Sequence, residues 1–169
     1  MNENLDKKAE LKDKFISFSQ NNKYKLILLA ILILLASISF FSFNIFLKNK
    51  NELISEKYIQ AGIHIASENK EKSILLFEEI ILSKNKFYSI LALNTILEKE
   101  LILSKEKILY FFDIVENLNI TDSQKEILLL KKALYLIKNS DTKEGEDILN
   151  QIINNDSKLK PIAEQILNN

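Results

Sequence analysis

Residues 26–47, LILLAILILLASISFFSFNIFL, are 22 consecutive positions without a charge, closed at each end by Lys25 and Lys48. As a helix rising about 1.5 Å per residue the run spans about 33 Å, against a bilayer hydrocarbon core of roughly 30 Å. Sixteen of the 22 are Leu, Ile or Phe. At about −0.3 to −0.6 kcal/mol each near the bilayer centre, they favour insertion by several kcal/mol. Ser37, Ser39 and Ser42 cost little, because a helical serine can bond back to a carbonyl one turn earlier. Lys23, Tyr24 and Lys25 before the run, and Lys48 and Lys50 after it, suit the two interfaces.

Two other fates for this run are weaker. Ser37 and Ser39 would fit the −3 and −1 positions of a signal-peptidase site. The apolar stretch nevertheless continues eight residues past Ser39, and Glu3, Asp6, Glu10 and Asp13 precede it, unlike the short apolar core and basic leader of a cleaved signal. A buried soluble helix of this length without a charge is rarer still. The run therefore reads as a retained anchor that divides the chain into a leader (1–25), a membrane helix (26–47) and a larger domain (48–169). Six lysines lie in the first 25 residues, whereas Lys48, Lys50 and Lys57 follow the run, so the positive-inside rule leans toward a cytoplasmic N-terminus. Leu5, Ala9, Leu11, Phe15 and Phe18 fall near one helical face of the leader, as in a short amphipathic helix.

Composition narrows the class of the larger domain. Two Gly and one Pro in 169 residues leave too little turn chemistry for an all-β fold. The 23 basic residues are all lysines and are matched by 23 acids, a poor inventory for gripping phosphate backbones, so nucleic acid is not an expected partner. Zero Cys excludes disulfides and thiolate metal sites. Apolar spacings of three and four predict helices near 49–67, 70–83, 86–98, 103–117, 122–138, 143–154 and 158–168, with Thr121 or Asp122 capping the fifth of them. No Gly or Pro separates the apolar run from Ala61, which predicts that the membrane helix runs into the first helix of the domain without a linker.

An internal repeat emerges from the same pass. Ala61, Ser73, Phe77 and Ile80 share one spacing of small and bulky residues with Ala92, Ser104, Ile108 and Phe111, and with Ala133, Gly145, Leu149 and Ile152. Ala163 follows as the start of a lone last helix. Two antiparallel helices approach closely where each carries a small residue, and bulky neighbours then fill the space to the next hairpin. The pattern resembles a degenerate tetratricopeptide repeat. Taken with the leader, the membrane helix and the stretches ISEKYIQAGIHIASENKEKSILLFEEII, KFYSILALNTILEKE, EILLLKKALYLIKNSD and LKPIAEQILNN, the chain is similar to the membrane-anchored tetratricopeptide-like family of the ancillary subunit of the bacterial SecYEG translocon.

That resemblance implies an all-α protein with one transmembrane helix and a stack of antiparallel hairpins. It also implies an inner-membrane location with the repeats in the periplasm, and a role as an adaptor for the translocon and periplasmic chaperones. In this repeat class the concave face comes from the first helix of each hairpin, which here implies a partner-binding face of Tyr58, Ile65, Lys86, Ser89, Leu93, Ile96, Leu130, Leu134 and Ile137. A rival reading makes the chain a structural subunit of a larger membrane complex, with the three serines of the apolar run meeting neighbouring helices.

Chemistry is sparse. His64 is the sole histidine, placed where repeats pack an aromatic, so no nitrogen-ligand metal site is expected. Gly62 and Gly145 stand alone, without a phosphate loop. Glu78–Glu79 and Glu98–Glu100 are paired carboxylates best read as solvated helix faces. Neither an enzyme nor a cofactor is expected.

Overall fold

A computed structural model describes residues 22–155 and 157–168; the amphipathic leader read in the sequence lies outside them, at residues 1–21. Every described element is a helix: α1 (Lys23–Ala66), α2 (Lys70–Leu82), α3 (Lys86–Glu98), α4 (Lys105–Glu116), α5 (Asp122–Lys138), α6 (Thr142–Asn154) and α7 (Lys160–Leu167). The chain divides into two compact units, Met1–Lys50 and Asn51–Asn169. Within the first, the uncharged run is helical, and its apolar side chains are exposed wherever they are described. It is the one described helix long and apolar enough to cross a membrane. Ser37 Oγ donates to Ile33 O at 2.8 Å, the back-bond that makes a serine inexpensive in an apolar span. α1 continues as one helix of 44 residues to Ala66, with no linker.

In the second unit short connections are built with almost no glycine. α1, α3 and α5 each end in the same device, with a non-glycine residue in the left-handed region at Glu68 (φ 58°), Glu100 (φ 47°) and Ser140 (φ 69°). The next backbone N–H then closes the helix: Asn69 N to His64 O at 2.9 Å, Leu101 N to Ile96 O at 3.1 Å, and Asp141 N to Leu136 O at 2.9 Å. Helix starts are capped by side chains. Asn69, Asn85 and Ser104 accept backbone N–H groups of α2, α3 and α4. Thr121, rather than Asp122, caps α5, in a reciprocal capping box with Gln124.

Contacts join α2 to α3, α3 to α4, α2 to α4, α4 to α5, α5 to α6, and α6 to α7. The main core runs from Ile54 and Ala61 through Phe77, Ile80, Leu93, Phe111 and Phe112 to Leu128. A smaller one gathers Ala133, Leu149, Ile152 and Ala163 under α5, α6 and α7. All the small and bulky repeat positions are buried except Ser104. Ser104 is exposed and lies before α4, where its Oγ accepts Lys107 N at 3.2 Å and donates to Glu106 Oε2 at 2.9 Å. It is a helix cap, so the second repeat lacks the small-on-small contact expected of it. At the third repeat that contact is tight. A Cβ placed on Gly145 would sit 2.8 Å from the backbone oxygen of Ala133 and 2.6 Å from Ile137 Cγ1.

Candidate functional site

α1, α3 and α5 are linked side by side by polar pairs. Asn85 Nδ2, at the start of α3, donates to Asn51 Oδ1 of α1 at 2.7 Å, and the Tyr58 hydroxyl of α1 bonds Thr95 Oγ1 of α3 at 3.0 Å. Lys131 Nζ of α5 donates to Asn94 Oδ1 of α3 at 2.7 Å, and Lys138 pairs with Glu100 just past α3. Residue numbers rise together along each pair of helices, so the three run in the same direction. The partners are 34, 37, 37 and 38 residues apart.

Between α3 and α5, beside the 99–104 connection, lies a groove of about 360 Å³. Its apolar lining comes from Ile96, Leu97, Ile102, Ile108 and Leu134. Leu103 stands at its edge, 93% exposed, because the segment LILS lies before α4 and is not part of the helix predicted from residue 103. Polar groups bound it on the α5 side. Lys131 carries a hydrogen bond from its ammonium to a neutral amide and has no carboxylate partner among the described residues, while Lys138 is matched by Glu100. Tyr135, one turn beyond Lys131, rests its ring 6.2 Å from Phe112. Burial raises the pKa of its phenol above the usual value near 10.

The nine residues implied for a concave face separate into three groups. Ser89, Leu93 and Ile96 are fully buried, and Ser89 Oγ donates to the Ile80 and Ile81 carbonyls at 3.1 and 3.3 Å. Tyr58 and Ile65 pack on the main core, with the Tyr58 ring against Phe77 and Tyr88, and Leu130 and Ile137 pack on the smaller core. These seven side chains are buried in, or packed against, the two cores. Leu134 (43% exposed) and Lys86 are open to solvent, and of the nine only Ile96 and Leu134 line the groove. Asn94, Lys131, Tyr135 and Leu103 were not singled out by the sequence reading. The signal the sequence carries is Leu103, an apolar residue directly before a capping serine.

His64 is half-buried. Glu78 and Glu79 answer Lys107 and Lys57, so this carboxylate pair is held in two separate ion pairs. Among the described residues no three of His, Asp and Glu come together in a way that would hold a metal ion. No protein-family model, curated protein or solved structure matches this chain.

Proposed function

We propose that this chain is a non-enzymatic, membrane-tethered adaptor. Residues 26–47 anchor it in a bacterial inner membrane with the N-terminus cytoplasmic. The second unit is a degenerate tetratricopeptide-like stack in the periplasm, and it docks other proteins beside the SecYEG translocon and periplasmic chaperones. The observation that carries this reading is the recurrence of polar links between α1, α3 and α5 at separations of 34 to 38 residues, close to the 34-residue period of such repeats. The left-handed caps at Glu68, Glu100 and Ser140 recur in the same order, one at the end of each of these helices. Stacks of this kind use grooves between successive first helices for partner segments, and the α3–α5 groove, with its apolar lining and Leu134 and Leu103 open to solvent, has that character.

Photocrosslinking from Leu134 and Leu103 in intact cells, with purification in mild detergent, tests the adaptor role. Substoichiometric translocon subunits and chaperones, crosslinked from Leu134 but not from Tyr110 on α4, are the expected result. One fixed stoichiometric assembly that crosslinks through residues 26–47 instead would favour a structural subunit. A cysteine at Asn169 is expected to react with an impermeant thiol reagent in intact cells, and one at Asn2 is not. The reverse pattern overturns the topology.

A further inference from the structure

The start of the second unit is tied by the chain itself to the end of the membrane span. Asn51 follows Leu47 by four residues, so the two cannot be more than about 14 Å apart whatever the orientation between them. Asn51 Oδ1 holds Asn85 Nδ2 at 2.7 Å. The α2–α3 turn, Ser83-Lys84-Asn85, is therefore within tether reach of the point at which the chain leaves the span. The turn and its flanks are built unlike a solvent loop. Leu82 is 52% exposed and Phe87 61% exposed, with the Phe87 ring held edge-on against Tyr88 at a centroid distance of 5.0 Å. Between them, Lys84 and Lys86 are exposed, and Lys84 has its backbone in the left-handed region at φ 56°. Among the described residues neither lysine takes part in an ion pair. The chain on the α1 side adds exposed Lys48 and Lys50, opposed there by exposed Glu52.

We propose that the α2–α3 turn is a foot that rests on the bilayer: Phe87 and Leu82 enter the headgroup region, and Lys84 and Lys86 contact anionic lipid headgroups. The proposal rests on residues 26–47 being a membrane span. Apolar side chains flanked by lysines are the composition that lies in an interface, the rings and aliphatic chains leaving water while the ammonium groups meet anionic lipid. The foot gives the exposed parts of Leu82 and of Phe87, whose ring otherwise meets Tyr88, an apolar environment. It also gives Lys86 a role in lipid contact instead of partner binding.

The chain contains no Trp, so a single introduced tryptophan reports one site without background. The full-length protein would be reconstituted in phosphatidylcholine–phosphatidylglycerol vesicles carrying lipids brominated near the headgroup or deep in the acyl chain. Phe87→Trp and Leu82→Trp should emit at blue-shifted wavelengths and lose most of their emission to shallow bromine. Leu103→Trp, beyond the far end of α3, should stay red-shifted and unquenched. Removing both lysines (Lys84→Gln with Lys86→Gln), or replacing the mixture by phosphatidylcholine alone, should restore most of the emission at position 87. Emission from positions 82 and 87 as water-like as that from 103 overturns the foot. Quenching indifferent to both lysines and lipid charge overturns the headgroup contact. Phe40→Trp separates these failures from a failed span, since it must be quenched by deep bromine if residues 26–47 cross the bilayer.

Discussion

Gly145 and Gly62 are both glycines inside helices, and the structure assigns opposite signs to the same substitution. Replacing a helical glycine by alanine gains about 1 kcal/mol of propensity when the methyl group meets nothing. At Gly62 no atom lies within 4 Å of the added Cβ, so Gly62→Ala should stabilise the protein by up to about 1 kcal/mol. At Gly145 the added Cβ would stand 2.6 Å from Ile137 Cγ1 and 2.8 Å from the Ala133 carbonyl oxygen. Ile137 has limited freedom because it is β-branched, and Ala133 O is backbone, which moves only if α5 and α6 separate. Overpacking of this sort costs roughly 1–3 kcal/mol, so after the propensity gain Gly145→Ala should destabilise by about 1 kcal/mol. Urea unfolding of the full chain in mild detergent, followed by far-ultraviolet circular dichroism, would measure both. If Gly145→Ala stabilised as much as Gly62→Ala, α5 and α6 would not be in contact through these residues, and the third hairpin would be assembled differently.

Four further outcomes are expected from the same unfolding assay. Ser73 Oγ is buried without a hydrogen-bond partner among the described residues, so Ser73→Ala should raise stability by about 1 kcal/mol, and a loss of that size would reveal a hidden partner. Glu68→Gly should gain roughly 0.5–1 kcal/mol by relieving the left-handed backbone, net of the flexibility that glycine adds to the unfolded chain. Ser104→Ala should lose about 1 kcal/mol through the lost cap, whereas Ser104→Leu should cost no more than that; a much larger cost would restore Ser104 to a packed contact. The Glu100 carboxyl is held below the ordinary value of 4.5 by its hydrogen bond with Lys138, and that of Glu106 by its own backbone N–H and the Ser104 hydroxyl. Depressed carboxyl values stabilise the fold above the unfolded-state value, so stability should be level near neutrality and fall as pH drops below about 4.5. Gln at both positions should flatten that fall.

Much of the helix plan was legible because it rests on local rules. The 3.6-residue period, the cap at Thr121, and the scarcity of Gly and Pro act within a few residues of the chain. Predicted and observed helices accordingly differ by only a residue or two at most ends. Ser104 shows where that legibility stops. A serine suits a close helix–helix contact because it is small, and it suits a helix start because its hydroxyl accepts a backbone N–H. Spacing alone assigns the first role. Two residues later Glu106 offers the carboxylate that completes the second, and the structure takes the cap.

The nine residues of the implied binding face are not brought together, for a different reason. Such a face treats the first helices as a row with one side packed and one side open, so that Tyr58, Ser89, Leu93 and Ile96 would face outward. The polar links tie these helices to one another through side chains, while α3 also packs on α2 and α4. Leu93 and Ile96 on α3 are then enclosed from both sides, and Ser89 is close enough to α2 to bond its last carbonyls. What remains open is the seam where two first helices diverge at the 99–104 connection, and its residues come from three elements far apart in sequence. Asn94, Leu103 and Lys131 share no period and no motif. Their proximity is a product of how far α5 is displaced along α3, a distance that Lys131–Asn94 and Lys138–Glu100 fix and that no one-dimensional pattern records.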